Sequence, residues 1–249
     1  MSVHYERIGP AAVVTIDRPE RRNAIDRATA LGLQRAWREF AADPDARVGI
    51  LTGAGGVFCA GADLVAFDLV EEPEGWLGIC RMTVPKPTIA AVAGPCVAGG
   101  LELALWCDLR VAGVGAFFGC FERRFGVPLV DGGTQRLPRL VGLSRALDMI
   151  LTGRAVPAEE ALRIGLADRL VPDGEELPEA LRLAEAIASF PQDTMLSDRR
   201  AVYAGLGRPL AEGLALEAEA GRQVGATAVA GAARFAAGEG RSGEGVSPA

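Results

Sequence analysis

Residue types on which catalysis often depends are nearly missing from this sequence of 249 residues. It has one histidine, His4, close to the N-terminus. A Ser-His-Asp relay or a histidine-based zinc site would therefore depend on a residue that we expect to lie outside the core. The one lysine, Lys86, precedes Pro87 rather than Ser or Thr, so there is no phosphate-binding P-loop. The residue type left for acid-base chemistry is the carboxylate.

Paired cysteines, positive charge and long apolar runs are also missing. The five cysteines form no CxxC pair, and their odd number argues against a disulfide framework, so we expect small buried hydrophobic side chains. A net charge of -6 gives no overall attraction for nucleic acid or for an anionic membrane. No run approaches the roughly 18 apolar residues of a membrane span, and the N-terminus lacks the apolar segment of a secretory signal. We therefore expect a cytoplasmic protein without nucleic-acid or membrane partners.

Short β-rich runs alternate with glycine-rich turns and helical segments in the first half of the chain. Strands are predicted at 12–16, 48–52, 88–94 and 109–112. Asp26 is a candidate N-cap for the helix that follows it, and a second helix is predicted over 99–106. This order predicts an α/β protein with its ligand groups at the strand-to-helix turns. Further helices are predicted at 143–152, 157–164, 177–188 and 210–224.

One carboxylate, Glu102, interrupts the apolar run VAGGLELALWC at 97–107. An unpaired buried carboxylate is costly, so Glu102 needs either a distant ion-pair partner or a function. A second carboxylate, Glu122, follows the apolar run FFGCF, where an ordinary salt bridge to Arg123 or Arg124 is the alternative to a functional role. Both readings stay open at this point.

Two turns offer backbone N–H groups beside small residues. They are FCAGADL at 58–64 and VAGG at 97–100, the second of which opens the helix that carries Glu102. Two N–H groups that converge on one point form an oxyanion hole, which stabilises an enolate or a tetrahedral oxyanion. The alternative is that these glycines only permit tight turns.

These features together resemble the enoyl-CoA hydratase/isomerase (crotonase) family. The similar segments are RP at 18–19 with NA at 23–24, FCAGADL at 58–64, KP at 86–87 through CD at 107–108, and GGTQRL at 132–137. The segments LTGR at 151–154, EA at 160–161 and GL at 165–166 resemble the family too. The similarity covers roughly residues 5–172 and is weak beyond about residue 190.

The resemblance implies a crotonase-like spiral of ββα units, which we expect over residues 1–190. A C-terminal helical region at 191–237 would build homotrimers, or hexamers as dimers of trimers. Residues 238–249 are expected to form a mobile tail.

The resemblance also implies an activity, the hydration of a 2-enoyl-CoA thioester in fatty acid metabolism. The N–H groups of Ala60 and Gly99 would hold the thioester oxygen, Glu102 would activate water, and Glu122 would donate a proton to C2. The expected contacts to the substrate are Arg18, Arg21, Arg22, Ala24, Ala62, Asp63 and Leu64. CoA enters as part of the substrate, and neither a metal nor a resident cofactor is implied.

The sequence departs from the hydratase pattern before the Gly-Gly-Thr segment. Hydratases usually have Pro-Gly-Ala there, whereas this chain has Leu129, Val130 and Asp131. Other branches of the family use an aspartate in this loop, one residue away in our alignment. Asp131 is therefore either a third acid, as in a double-bond isomerase or other acyl-CoA enolate chemistry, or a residue that caps the loop. An alternative of another class is a CoA-binding scaffold without turnover.

Overall fold

The structure is a computed structural model that describes residues 2–239. It consists of two compact units, one up to Ala184 and one from Glu185 onward, whereas the sequence predicts the boundary at residue 190. Residues 240–249 of the predicted mobile tail lie outside the described residues.

Nine strands and nine helices are found within residues 2–239. The strands are β1 Val3–Ile8, β2 Ala11–Ile16, β3 Val48–Gly53, β4 Thr88–Val92, β5 Pro95–Val97, β6 Leu109–Gly113, β7 Phe117–Gly119, β8 Val156–Pro157 and β9 Arg169–Val171. The helices are α1 Arg27–Ala42, α2 Gly99–Trp106, α3 Gly133–Val141, α4 Leu143–Thr152, α5 Ala158–Arg163, α6 Glu176–Ala188, α7 Gln192–Gly205, α8 Leu210–Gln223 and α9 Gly225–Ala236.

The strands of the first unit form two sheets. The larger has the order β1-β2-β3-β4-β6-β9 and is parallel except for the β1–β2 hairpin, and the smaller has the order β5-β7-β8. Along the chain, β4 and β6 belong to the larger sheet, while β5 and β7, which follow them, belong to the smaller one. Strands that alternate between two sheets with a helix between the pairs build the ββα spiral that the sequence predicts.

The core of this unit follows from the apolar runs. Every residue of β4 is buried, and β3 is buried up to its last residue, as expected for parallel strands covered on both faces. Helix α1 begins at its predicted cap, where the Asp26 carboxylate accepts the Thr29 N–H at 2.8 Å. It buries Trp37, whose ring packs edge-on against that of Trp106 at 4.7 Å. All five cysteines are buried and free, as predicted.

The four strands and six helices that the sequence predicts agree with the structure to within one or two residues. Helix α2 has the predicted bounds. The predictions missed β1, and they missed β5, β7, β8 and β9 because strands of two or three residues are too short to show a periodicity. They also missed α3, which begins at a glycine and contains Pro138, and they gave no bounds for α7 and α9 within the expected C-terminal helical region.

In the second unit, α7 packs against α8 and α9. The Thr227 hydroxyl of α9 donates a hydrogen bond to the Asp193 carboxylate of α7. Within residues 2–239, none of the helices has the length and the apolar content that spanning a bilayer requires.

Candidate active site

The two glycine-containing turns lie side by side. Cys59 and Cys96 form an isolated parallel bridge, in which the Cys59 N–H donates to Pro95 and the Val97 N–H donates to Cys59, both at 3.1 Å. Gly61, at φ +94°, passes so close to the start of α2 that a Cβ there would lie 2.8 Å from the Gly99 nitrogen. The glycines in these turns therefore permit a close approach of two backbones.

One of the two backbone N–H groups that the sequence predicts as free donors in these turns is already hydrogen-bonded. The Ala60 N–H already donates to the Arg22 carbonyl at 3.0 Å, so the prediction that Ala60 supplies a free donor is wrong. The Gly61 N–H points at the Cys59 sulfur, 3.3 Å away. Within residues 2–239, the N–H groups of Ala62 and Gly99 have no acceptor, and both residues line the same cleft. Sequence reasoning placed Ala62 among the substrate contacts without recognising its N–H as a donor.

Glu102 lies in the first turn of α2 and is 3% exposed. Its Oε1 accepts the Asp131 N–H at 2.9 Å and the Gly133 N–H at 2.8 Å. No Lys, Arg or His within residues 2–239 forms an ion pair with it, so the alternative of a distant ion pair is wrong. Burial raises the pKa of Glu102 to about 7, against the opposing effect of the Gly133 hydrogen bond. The nearby carboxylates of Asp131 and Glu122 also raise this pKa.

Glu122 lies in the 3-10 turn Phe121–Phe125 and is 5% exposed. Both of its carboxylate oxygens are buried without a hydrogen-bond partner in the described part of the chain. The arginines beside it point elsewhere: Arg123 donates to the Ile150 carbonyl, and Arg124 lies over the Phe121 ring at 3.6 Å. The salt-bridge alternative is therefore wrong, and burial raises the pKa of Glu122.

Asp131 is the third carboxylate of the cleft and is 1% exposed. It accepts the Trp76 N–H at 3.1 Å and the Leu77 N–H at 2.8 Å. This is the geometry of the loop-capping alternative. Burial raises the pKa of Asp131, and the two hydrogen bonds oppose that rise.

The cleft that joins these groups has a volume of about 580 Å³ including its open mouth. Its polar side chains are the three carboxylates, and the rest of the lining is apolar. The large apolar residues are Leu64, Leu69, Trp76, Leu77, Phe121, Phe125, Val127, Pro128 and Val130. The arrangement suits an apolar ligand whose reactive end reaches the carboxylates and the two free N–H groups.

Of the arginines predicted to contact the CoA substrate, only some are available to a ligand. Arg18 pairs with Asp26 at 3.0 Å and with Asp63 at 2.9 Å, and it donates to the Ala24 carbonyl. Burial alone would raise the pKa of Asp63, but hydrogen bonds from Ala66 and Arg18 hold that pKa below its usual value. Arg18 and Asp63 thus stabilise the loop, whereas Arg21 and Arg22 are exposed.

Among the residues described, no cluster of three or more His, Cys, Asp and Glu side chains could hold a metal ion.

Comparison with known proteins places this geometry in a family. A family model described as enoyl-CoA hydratase/isomerase matches residues 9–237. Enoyl-CoA hydratase EchA19 of Mycobacterium tuberculosis is 41% identical over 197 residues, covering 74% of this chain and 73% of its own length. The (E)-benzylidenesuccinyl-CoA hydratase of Thauera aromatica is 37% identical, covering 86% and 87%. The crystal structure of enoyl-CoA hydratase EchA1 from Mycobacterium marinum superposes with a TM-score of 0.90 at 36% identity, covering 94% and 95%.

The fold is that of the crotonases, as the sequence predicts. This chain belongs to the enoyl-CoA hydratase/isomerase family, and it is an enzyme of that family.

Proposed function

We propose that this protein adds water across the 2,3 double bond of a 2-enoyl-CoA thioester. The observation that carries the proposal is a pair of buried carboxylates, Glu102 and Glu122, that share one apolar cleft and have no cationic partner in the described residues. Burying two such groups is unfavourable for stability, and acid-base chemistry gives a reason for it. Relatives named as enoyl-CoA hydratases support the same reaction.

The two glutamates are suited to different steps. Glu102 is anchored by two backbone N–H groups on one oxygen. In its ionised form it takes a proton from water as the water oxygen bonds to C3. No other residue between 2 and 239 donates a hydrogen bond to the Glu122 carboxylate, and a raised pKa favours its protonated form. It delivers its proton to C2, and proton exchange with solvent then restores both groups.

Negative charge develops on the thioester oxygen during this addition. We assign its stabilisation to the N–H groups of Ala62 and Gly99, the latter at the start of α2, where the helix dipole favours negative charge. Both donors lack an acceptor in the described structure, and both residues line the cleft. Ala60, the donor that the sequence predicted, is already bonded to Arg22.

Arg21 and Arg22 are the proposed contacts for the CoA phosphates because they are exposed, while Arg18 is paired within the loop. CoA enters with the substrate, and we propose no resident cofactor. A role in fatty acid metabolism, a cytoplasmic location and assembly as a homotrimer or a dimer of trimers stay predictions from the sequence.

The test follows the loss of the conjugated enoyl-thioester absorbance with crotonyl-CoA and a longer 2-enoyl-CoA. We expect the wild type to hydrate at least one of them. Glu102→Gln and Glu122→Gln should each lose activity by about 10² to 10⁴ while still binding acyl-CoA, because each variant removes one proton-transfer group. Glu6→Gln, at an exposed position of β1, is the control and should retain wild-type rates.

Two outcomes would contradict the proposal. If the wild type moves the double bond of a 3-enoyl-CoA without net hydration, the protein is an isomerase. If it binds acyl-CoA tightly and turns over nothing in a broad panel, it is a CoA-binding scaffold.

A further inference from the structure

Both oxygens of the Asp131 carboxylate are already occupied by backbone donors. Oδ1 accepts the Trp76 N–H at 3.1 Å, and Oδ2 accepts the Leu77 N–H at 2.8 Å. No cationic side chain of the described residues forms an ion pair with this carboxylate. One N–H on each oxygen fixes the orientation of this carboxylate and stabilises its ionised form through both oxygens, whereas both N–H groups at Glu102 share Oε1.

The backbone of Asp131 is bonded to the catalytic side of the cleft. Its N–H donates to Oε1 of Glu102 at 2.9 Å. Its carbonyl accepts from Nη1 of Arg136 at 2.9 Å, and Nη2 of the same arginine donates to the Cys80 carbonyl at 2.6 Å. Asp131 therefore connects Glu102 with the segment around Trp76 through a single residue.

The segment that the carboxylate holds forms a wall of the cleft. Trp76 and Leu77 both line it. The Leu77 side chain packs so closely on the start of α2 that a Cβ on Gly99 would lie 2.8 Å from Cδ1 of Leu77. On the other side, Gly75 has φ +96°, and a Cβ there would lie 2.2 Å from Oδ1 of Asp131. Any displacement of the carboxylate must therefore move this wall.

We propose that Asp131 is a positioning residue that holds the Trp76–Leu77 wall and Glu102 in one fixed arrangement. A poorly fitting acyl group that displaces this wall would also displace Asp131. Because the Asp131 N–H donates to Glu102, the water-activating carboxylate would then move as well. Asp131 thereby contributes to acyl-group specificity without transferring a proton. This inference rests on the proposed function, from which the water-activating role of Glu102 comes, whereas the positioning of the wall itself does not depend on turnover.

The kinetic experiment compares Asp131→Asn with Asp131→Ala on crotonyl-CoA and on 2-decenoyl-CoA. The asparagine oxygen keeps one acceptor for the wall, so we expect a loss of about tenfold in kcat/KM for Asn and about a hundredfold for Ala. The KM for 2-decenoyl-CoA should rise more than that for crotonyl-CoA, because the longer chain depends on more of the wall. Asp173→Asn is the matched control, since its carboxylate also accepts a backbone N–H, that of Gly115 at 2.7 Å, and it does not line the cleft. It should behave as the wild type.

A second variant disturbs the same contact without altering the aspartate. Gly75→Ala introduces a methyl group against Oδ1 at a φ of +96°, where alanine is strained, so it should displace the wall and reproduce the kinetic pattern of Asp131→Ala. Combined with Asp131→Ala, it should add little further loss, because both changes disrupt one contact.

Amide hydrogen exchange over residues 75–78 tests the positioning role independently of turnover. We expect faster exchange in Asp131→Ala than in the wild type, with intermediate rates for Asp131→Asn. If kcat/KM falls by three orders of magnitude in both Asp131→Asn and Asp131→Ala while amide hydrogen exchange is unchanged, Asp131 transfers a proton. Wild-type kinetics and exchange in both variants would also overturn the inference. If the wild type hydrates no enoyl-CoA, the proposed function fails, and the exchange rates alone decide the role of Asp131.

Discussion

At the scale of single residues, the cleft is defined by how three carboxylates are satisfied. Glu102 has two backbone donors on one oxygen, Asp131 has one donor on each oxygen, and Glu122 has none from another residue in the part of the chain that the structure describes. Hydrogen bonds to the ionised form lower a carboxyl pKa and burial raises it, so the three groups experience different balances of the same two effects. In the proposed mechanism, Glu102 is accordingly the base, Glu122 is the acid and Asp131 has a structural role.

The stability of the protein should depend on pH through Glu102. Its pKa is raised to about 7 in the folded state, compared with the usual 4.5. The folded state therefore holds this proton more tightly than the unfolded chain, and the associated stability is lost as pH rises from 4.5 to 7. Ionisation of Glu102 therefore lowers the free energy of unfolding by about 3 kcal/mol.

Urea unfolding of the wild type and of Glu102→Gln between pH 5 and 8 measures this effect. The glutamine variant should become more stable relative to the wild type as pH rises, because the neutral side chain has no charge to bury. Glu6→Gln serves as the exposed control. A stability difference between wild type and Glu102→Gln that stays constant across this range would contradict the prediction.

Sequence reasoning reached the residues of the cleft but could not distinguish their roles. It identified Glu102 and Glu122 because each is a carboxylate within or beside an apolar run. An apolar run is typical of a buried segment, so a charged residue there is conspicuous. It chose the wrong donor, Ala60, because only the fold reveals that its N–H is already bonded to Arg22. The hydrogen bonds of Asp131 join residues 54 and 55 positions apart, and no local pattern records them.

At the scale of elements, the close approach of α2 to the turn at 58–64 organises the cleft. A Cβ on Gly100 would lie 2.1 Å from the Cys59 carbonyl oxygen, so the helix can begin here only with glycine at that position. Sequence patterns predicted the bounds of α2 well because the glycine-rich turn before it and β6 after it have strong signals, although β5 was missed. They could not predict which backbone it would meet.

Gly100→Ala should therefore separate α2 from this turn. We expect a loss of about 1–3 kcal/mol in the free energy of unfolding, together with a large loss of hydration activity. The same substitution at Gly221, in α8, meets nothing within 4 Å and should be neutral or stabilising by about 0.5–1 kcal/mol. Urea unfolding and the hydration assay measure both variants, and wild-type stability of Gly100→Ala would show that the helix can shift freely.

At the scale of the whole molecule, apolar side chains remain exposed on one face of α4. Leu143, Leu147 and Leu151 follow each other at intervals of four residues and are 67%, 43% and 71% exposed. Faces of this kind are usually covered by another surface. The predicted trimer or dimer of trimers would provide one in the form of further copies of this chain.

Light scattering over a range of protein concentrations measures the state of assembly. We expect a mass three or six times that of one chain. A single-chain mass at every concentration would contradict this expectation. Further copies of this chain would then not cover the exposed face of α4.

The burial of all five cysteines has a practical consequence. Burial raises the pKa of Cys59 and of Cys120 to about 12, and it raises those of Cys80, Cys96 and Cys107 as well, so none of them presents a reactive thiolate in the native protein. A cysteine introduced on the surface would then be the one site that a maleimide dye can reach. The unmodified chain serves as its own blank for fluorescence or spin-label studies of the cleft, without prior removal of any native thiol.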